Sequence, residues 1–289
     1  MRILITGAGG QLGRDLVMSC KFAGDDVIAL GHSDLDVTDR DAVLGAITSS
    51  RPDAVAHCAA WTAVDLCESD PDRAMLANAL AVRWVAEACD RVSAHLVSIS
   101  TDYVFDGTKS GPYTEWDTPN PQSVYGASKR AGEIEALALG ASSAVLRTSW
   151  VCGEFGNNMV KTIMRLAAER DELSFVDDQI GHPSLCADLA PMIRRIALDR
   201  RSGIHHVTNQ GAVSWHGFAQ AVVSAMGKSP DMVKPIATAD LHPPRPAARP
   251  SNSVLDNAVL RSAGLTPLPD FRQSLTTLVD RLSRKAGDR

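Results

Sequence analysis

The chain lacks the marks of a nucleic-acid or membrane protein. Its 289 residues carry 29 Lys and Arg against 34 Asp and Glu, a formal charge of -5. The basic footprint that engages a phosphate backbone is therefore missing. No apolar run approaches the roughly 20 residues needed to cross a bilayer. The opening Met1-Arg-Ile-Leu-Ile-Thr6 runs straight into glycines and reads as a strand, not as a cleavable leader. Six scattered cysteines (Cys20, Cys58, Cys67, Cys89, Cys152 and Cys186) form no Cys-x-x-Cys pair, which suits reduced structural thiols in the cytoplasm. There is no His-Glu-x-x-His spacing, so no metal is expected, and His57, His205 and His206 read as structural residues. The Gly-x-Ser-x-Gly elbow of many hydrolases is missing as well. The chain contains no internal repeat and no low-complexity tract.

What is present is an alternation of short apolar strands with helical stretches. Strands are expected at Arg2–Thr6, Asp26–Leu30, Asp53–His57, His95–Ser100 and Ala144–Thr148. Helices are expected at Gln11–Ala23, Asp39–Ile47, Asp72–Arg91 and Ser123–Leu139. Such a rhythm predicts an α/β fold, a Rossmann-type doubly wound parallel sheet with both faces covered. After Trp150 the rhythm loosens. Helices are expected at Asn157–Arg170, Leu185–Leu198, Trp215–Met226 and Pro269–Ala286, and a strand at Gly203–Thr208. His242–Pro250 holds four prolines and must be a loop. The expected division is a dinucleotide-binding domain over 1–152, to which elements near 185–210 return, and a smaller substrate-binding lobe mainly from 153–289.

Three motifs fall at strand ends, the edge where such sheets bind ligands. Gly7-x-x-Gly10-x-x-Gly13 follows the first strand. Its first glycine permits the sharp exit, its second lets the backbone approach a pyrophosphate, and its third allows the helix to pack closely on the strand. Free N–H groups at the helix start then face the anion. Tyr125 and Lys129 are one helical turn apart, so an ammonium can tune a phenol for proton transfer. Alone, such a pair is an ordinary solvated helix face. With the glycine turn and the upstream Thr101 it becomes a reductase site. Cofactor choice is weakly written: the second strand ends in Leu30-Gly-His-Ser33, with Asp34 and Asp36 beyond it, and Arg14 is available for a 2′-phosphate. NADPH is expected, with NADH also accepted.

The set resembles the extended short-chain dehydrogenase/reductases. The blocks Ala59-Ala-Trp61-Thr-Ala-Val64-Asp65-x-x-Glu68, Ser100-Thr-Asp-Tyr-Val-Phe-Asp-Gly107, Val124-Tyr-Gly-x-x-Lys129, Arg147-Thr-Ser-Trp-Val151, Gly156-Asn-Asn158, Asp178-Gln-x-Gly-x-Pro183 and Arg249-Pro-x-Asn-Ser253 are similar to the dTDP-4-dehydrorhamnose reductase family. That resemblance implies reduction of the 4-keto group of dTDP-4-dehydro-β-L-rhamnose, with Thr101, Tyr125 and Lys129 catalytic. It implies a cofactor set of Gly7, Gly10, Gln11, Leu12, Gly13, Asp36, Val37, Ala60, Trp61, Thr62, Ile99, Tyr125 and Lys129. The substrate set is Val64, Thr101, Asp102, Tyr103, Trp150, Asn158 and Arg249. Lys129 is expected to lower the Tyr125 pKa, Trp150 to offer the hexose a flat wall, and Arg249 and Asn158 to meet the diphosphate. A dTDP-sugar is the expected partner of a monomer or homodimer. Two departures from the family stand out. Trp61 replaces a frequent His or Tyr, and Asp15 stands where some bacterial members use Glu in a metal-bridged dimer whose other acids are not recognisable here. A nucleotide-sugar dehydratase or epimerase is the nearer alternative. Asp102 is followed by Tyr103, where dehydratases carry Asp-Glu, which argues against elimination. The other alternative is a non-catalytic subunit like the regulatory subunit of methionine adenosyltransferase.

Overall fold

In a computed structural model that describes residues 1–138 and 142–287, six parallel strands form the central sheet. They are β1 (Arg2–Thr6), β2 (Asp26–Leu30), β3 (Ala54–His57), β4 (His95–Thr101), β5 (Ser143–Thr148) and β6 (Gly203–His206), in the order β6-β5-β4-β3-β1-β2. The apolar strands lose water on both faces: Ile3, Leu4, Ile5, Val55, Leu96 and Val97 are fully buried. On one face α1 (Gln11–Phe22) and the later α6 (Cys186–Leu198) pack through Leu12, Leu16, Cys20, Leu189, Ile193 and Ile196. On the other lie α2 (Arg40–Ser50), α3 (Ala81–Val92) and α4 (Val124–Ala138), joined through Val43, Ile47, Val82, Val85 and Ala136. Position 139, expected to end α4, lies outside the described residues.

A separate apolar cluster forms the lobe over the strand ends. It joins α5 (Met159–Glu169), α7 (Trp215–Ala225) and α8 (Phe271–Gly287) to the strand pair Leu173–Val176 and Val233–Ile236, through Ile163, Phe218, Val222, Phe271 and Leu275. The strand pair and the short helix Val64–Ser69 carry too little periodicity to be read from sequence. The helical stretch Asp72–Arg91 is also less uniform than expected. It starts at Pro71, loosens into a π turn at Leu76–Leu80 and tightens again into α3. Among the described residues, no helix is long and apolar enough to cross a membrane.

The sheet and α4 are tied by a buried ion pair. Arg147 Nε and Nη2, on β5, each donate at 2.7 Å to the two carboxylate oxygens of Glu133, on α4. Ser100 Oγ, on β4, donates to the same carboxylate at 2.7 Å. Both charged side chains are essentially without exposure, so removing one partner leaves the other desolvated and uncompensated. Arg147 first, with Ser100 and Arg130, holds the Glu133 carboxyl below its usual range against its burial. The pair therefore stabilises the fold fully above the ordinary glutamate value of about 4.5, and the contribution is lost as pH falls through the depressed value. Glu133→Gln is expected to cost about 3–5 kcal/mol of unfolding free energy in denaturant titrations at pH 7. The deficit should shrink towards pH 3.

Candidate active site

The glycine turn is built as a cradle. Gly7 adopts φ +63°, and a Cβ there would stand 2.7 Å from the Ala59 backbone nitrogen at the end of β3. A Cβ at Gly13 would fall on the Gly7 carbonyl oxygen, so the third glycine exists for helix-on-turn contact. Gly10 differs: it caps α1 in extended conformation with no side chain to offer, and only the Gly7 oxygen, at 3.1 Å, would touch its Cβ. Its open side faces a cleft of about 1030 Å³. Gly7, Gly10, Asp36, Val37, Ala60 and Trp61 line this cleft, as do Gly31, His32, Arg73 and Leu76, which the sequence did not single out. Arg73 lies over the Trp61 ring, 4.6 Å from its centre. Arg14, considered for a 2′-phosphate, donates to the Gly9 carbonyl at 3.1 Å. Leu12 turns its side chain into the core, leaving only its backbone for a ligand. Gln11 is spent on the 151–158 loop, donating to the Val151 carbonyl at 2.9 Å and accepting from Gly153 N–H.

Beyond the cleft, α4 presents Tyr125, Lys129 and Glu133 at four-residue spacing on one face. Tyr125 packs with Trp61, Val64, Tyr103 and Val124, which joins the phenol to the cleft wall. Lys129 Nζ donates to the Ile99 carbonyl on β4 at 2.7 Å. Burial pulls the Lys129 pKa down to about 8, against the opposing pull of Glu133. Burial holds the Tyr125 phenol above its usual range, and the Thr101 hydroxyl beside it works in the opposite direction. Burial, and not the expected lowering by Lys129, governs the phenol here. Thr62 lies between Trp61 and Val64, its carbonyl accepting from Val64 N–H at 2.9 Å.

Asn78 is the organising residue that sequence reading missed. Its amide accepts from Trp61 N–H at 2.8 Å, donates to the Trp61 carbonyl at 3.0 Å and donates to Ser128 Oγ on α4 at 3.0 Å. It sits in the π turn, which rotates it towards both partners; π turns concentrate at functional sites. A lone Asn inside a helical pattern was the only signal.

The substrate side departs further from expectation. Asp102 is 2% exposed beneath Thr101, so it does not present itself to a sugar. Trp150, with φ +45°, stacks flat on Trp215 at 3.6 Å, and the Gly181 backbone crowds its ring. Trp215, absent from the expected set, faces a pocket of about 250 Å³ with Tyr103, Phe175, Gln179, Arg245 and Arg249, and both indoles border a small adjoining gap with Tyr103, Gln179 and Arg249. Asn158 caps α5 by accepting from Lys161 N–H, and its amide donates to Gln11 Oε1 at 2.6 Å and the Gly153 carbonyl at 2.7 Å. That leaves it no donor for a phosphate. Arg249 is held by Asp65 through two bonds of 2.5 and 2.8 Å, while lining the pocket. One turn along α1 from Gln11, burial and then Glu154 push the Asp15 carboxyl up to about 6. Among the described residues, no group of three or more His, Cys, Asp or Glu is placed to hold a metal ion.

A doubly wound sheet, a glycine cradle and a Thr–Tyr–Lys face at the strand ends define a nicotinamide-dependent oxidoreductase of the extended short-chain type. The RmlD substrate binding domain family matches residues 1–284. A dTDP-4-dehydrorhamnose reductase of Streptomyces griseus is 42% identical over 99% of this chain and 95% of its own length. The crystal structure of a dTDP-4-dehydrorhamnose reductase from Clostridium acetobutylicum superposes with a TM-score of 0.93, at 40% identity, over 98% of this chain and all of that one. The Bacillus anthracis enzyme, solved in complex with NADP, gives 0.93 at 39% identity over 97% and 99% of the two chains. The chain belongs to the dTDP-4-dehydrorhamnose reductase family.

Because a Cβ at Gly10 would meet only the Gly7 carbonyl oxygen, at 3.1 Å, Gly10→Val should fold with a small shift of the turn. The added branches should obstruct the cleft and weaken NADPH binding by at least about tenfold, the equivalent of 1.4 kcal/mol. Fluorescence titration with NADPH, alongside a thermal melt, reads both quantities. Unchanged affinity in a folded variant would place the dinucleotide elsewhere.

Proposed function

We propose that the protein reduces the 4-keto group of dTDP-4-dehydro-β-L-rhamnose to give dTDP-L-rhamnose, using NADPH and also accepting NADH. The observation that carries this reading is Tyr125 buried beside Thr101, one turn from Lys129, against a cleft edged by a glycine cradle. Its relatives of about 40% identity and near-complete coverage bear the name of this reductase. We assign residues 1–152, with α6 and β6, to dinucleotide binding, and most of 153–289 to the substrate.

The cradle fits a dinucleotide: its backbone N–H groups and the absence of side chains at Gly7 and Gly10 suit a pyrophosphate. The reduced nicotinamide, when bound, supplies the hydride. The protein must then protonate the oxygen that gains negative charge, and Tyr125 is the donor. Burial, which disfavours the phenolate, keeps that proton in place until a stronger base forms beside it. Lys129, anchored by the Ile99 carbonyl at the cleft, holds a positive charge where the nicotinamide ribose would lie. Val64 and Tyr103 flank the phenol and shape the space for the hexose. Trp215 and Phe175 line the pocket where we seat the nucleotide base, and Arg245 and Arg249 give it positive charge. Arg249 reaches a diphosphate only by sharing or leaving Asp65. This arrangement, the six free cysteines and the lack of a spanning helix among the described residues suit an enzyme of the cytoplasm.

Tyr125→Phe removes one hydroxyl from a packed ring. NADPH affinity should hold, while kcat on the dTDP-keto sugar falls by on the order of 10²–10⁴, the usual worth of a positioned acid. The check is NADPH absorbance with dTDP-glucose converted upstream to the keto sugar. Near-normal turnover would remove Tyr125 from this role, and consumption of NADPH in stoichiometric amounts separates a reductase from an epimerase.

A further inference from the structure

We propose that Glu68 is a positioning residue for Tyr125, holding the first turn of α4, and with it the phenol, in register with the arginine loop of the lobe. The inference rests on the reduction proposed above. Two acids one turn apart on the short helix Val64–Ser69 reach in different directions. Asp65 accepts from Arg249 Nη1 and Nη2 and from Ala247 N–H, on the proline-rich loop. Glu68 Oε1 accepts from Val124 N–H at 2.9 Å, across 56 residues of chain. One turn of helix thus carries a support for the substrate loop and a support for the catalytic helix. Val64 and the fully buried Cys67, from the same turn, pack in one cluster with Tyr125.

The bond falls where α4 is weakest. The first N–H groups of a helix have no partner within it. Ser123 Oγ accepts from Gly126 N–H at 3.1 Å and the Ser123 carbonyl accepts from Ala127 N–H at 2.9 Å, which makes Ser123 the local cap. Neither bond reaches Val124, whose carbonyl carbon is bonded directly to the Tyr125 nitrogen. Glu68 supplies that partner, and a carboxylate, which only accepts, is favoured by the N–H groups gathered at a helix start.

The other anchors of α4 act further along. Lys129 donates to the Ile99 carbonyl and Glu133 meets Arg147, one and two turns beyond Tyr125. At the start of the helix, Gly126 sets only a limit of approach, since a Cβ there would fall on the Tyr103 carbonyl. A contact of that kind pushes and does not pull. The Glu68 bond draws the turn inward against it, so the phenol is fixed from both sides. Without the bond the first turn is free to fray, as helix ends do. A displacement of about 1 Å in a reacting group costs on the order of 10²-fold in rate. A carboxylate also acts at a distance through its field, and substitutions separate that effect from the bond.

Glu68→Gln keeps a carbonyl oxygen at the same reach and drops the charge, whereas Glu68→Asp keeps the charge and falls one methylene short of Val124. With NADPH and the dTDP-keto sugar, Glu68→Ala and Glu68→Asp should lose about 10- to 100-fold in kcat, and Glu68→Gln should stay within about threefold of the parent. KM for the sugar, and the affinity and stoichiometry of NADPH binding by fluorescence, should be parental in all three, because the alignment lost is used in the transition state. Glu68→Ala added to Tyr125→Phe should cost nothing further, since Glu68 acts through the phenol. Without substrate or cofactor, deuterium exchange at the Val124 amide, followed by NMR, should be slow in the parent and Glu68→Gln and fast in the other two. A parent that turns over overturns the inference, and leaves the reductase reading standing, if Glu68→Ala has normal kcat. An active Glu68→Asp beside a slow Glu68→Gln does the same, as does a Glu68→Ala deficit that persists in full on the Tyr125→Phe background. A parent that converts no keto sugar, with Val124 protected, sinks the reductase reading and with it the kinetic role of Glu68.

Discussion

The active face depends on one buried ion pair. Glu133 and Arg147 meet where α4, β4 and β5 come together, with Ser100 as a third partner. Ser100 is the neighbour of Thr101, and Glu133 is one turn beyond Lys129 and two beyond Tyr125. The pair therefore sets the height of the catalytic helix against the strand that carries the threonine. Apolar packing alone would let α4 slide along the sheet; two directional, charge-assisted bonds in a dry setting permit one register. Glycines complete the approach. A Cβ at Gly126 would fall on the Tyr103 carbonyl, and one at Gly132 on the Asn78 carbonyl, so α4 sits too close to both segments for any other residue.

From this register the functions of the cleft separate. The glycine turn needs backbone and emptiness, so its specificity is written in what is missing from it. The Tyr125 phenol needs the opposite, a dry and crowded setting in which its proton is held until a base appears. Burial is thus harmful to charge on Tyr125 and useful to it as a proton donor. The lobe contributes aromatic surface and two arginines, held back in part by Asp65 on the short helix that also bears Val64.

Much of this was legible in the chain because it is local. Each expected sheet strand lies within two residues of an observed one, since a β–α rhythm follows from alternating runs. The glycine spacing and the Tyr–Lys spacing are likewise local. The pairs that fix the site are not: Glu133 and Arg147 are 14 residues apart, and Asp65 and Arg249 are 184 apart. No periodicity reveals such partners. Trp150 was read as a bare wall because stacking with Trp215 is invisible without the fold, and Asn158 as a phosphate ligand because its amide's two internal partners lie on α1 and the 151–158 loop. Asn78 was passed over because a π turn, not a helix, aims it.

The most direct measurement follows the hydride itself. NADPH labelled with deuterium at the transferring position of C4 is incubated with the dTDP-4-keto-6-deoxy sugar, and the sugar product is examined by NMR and mass spectrometry. The account predicts one deuterium at the sugar C4 for each NADPH consumed, with a hydroxyl where the ketone stood. A product without that deuterium, or conversion of the sugar with no net loss of NADPH, would contradict it.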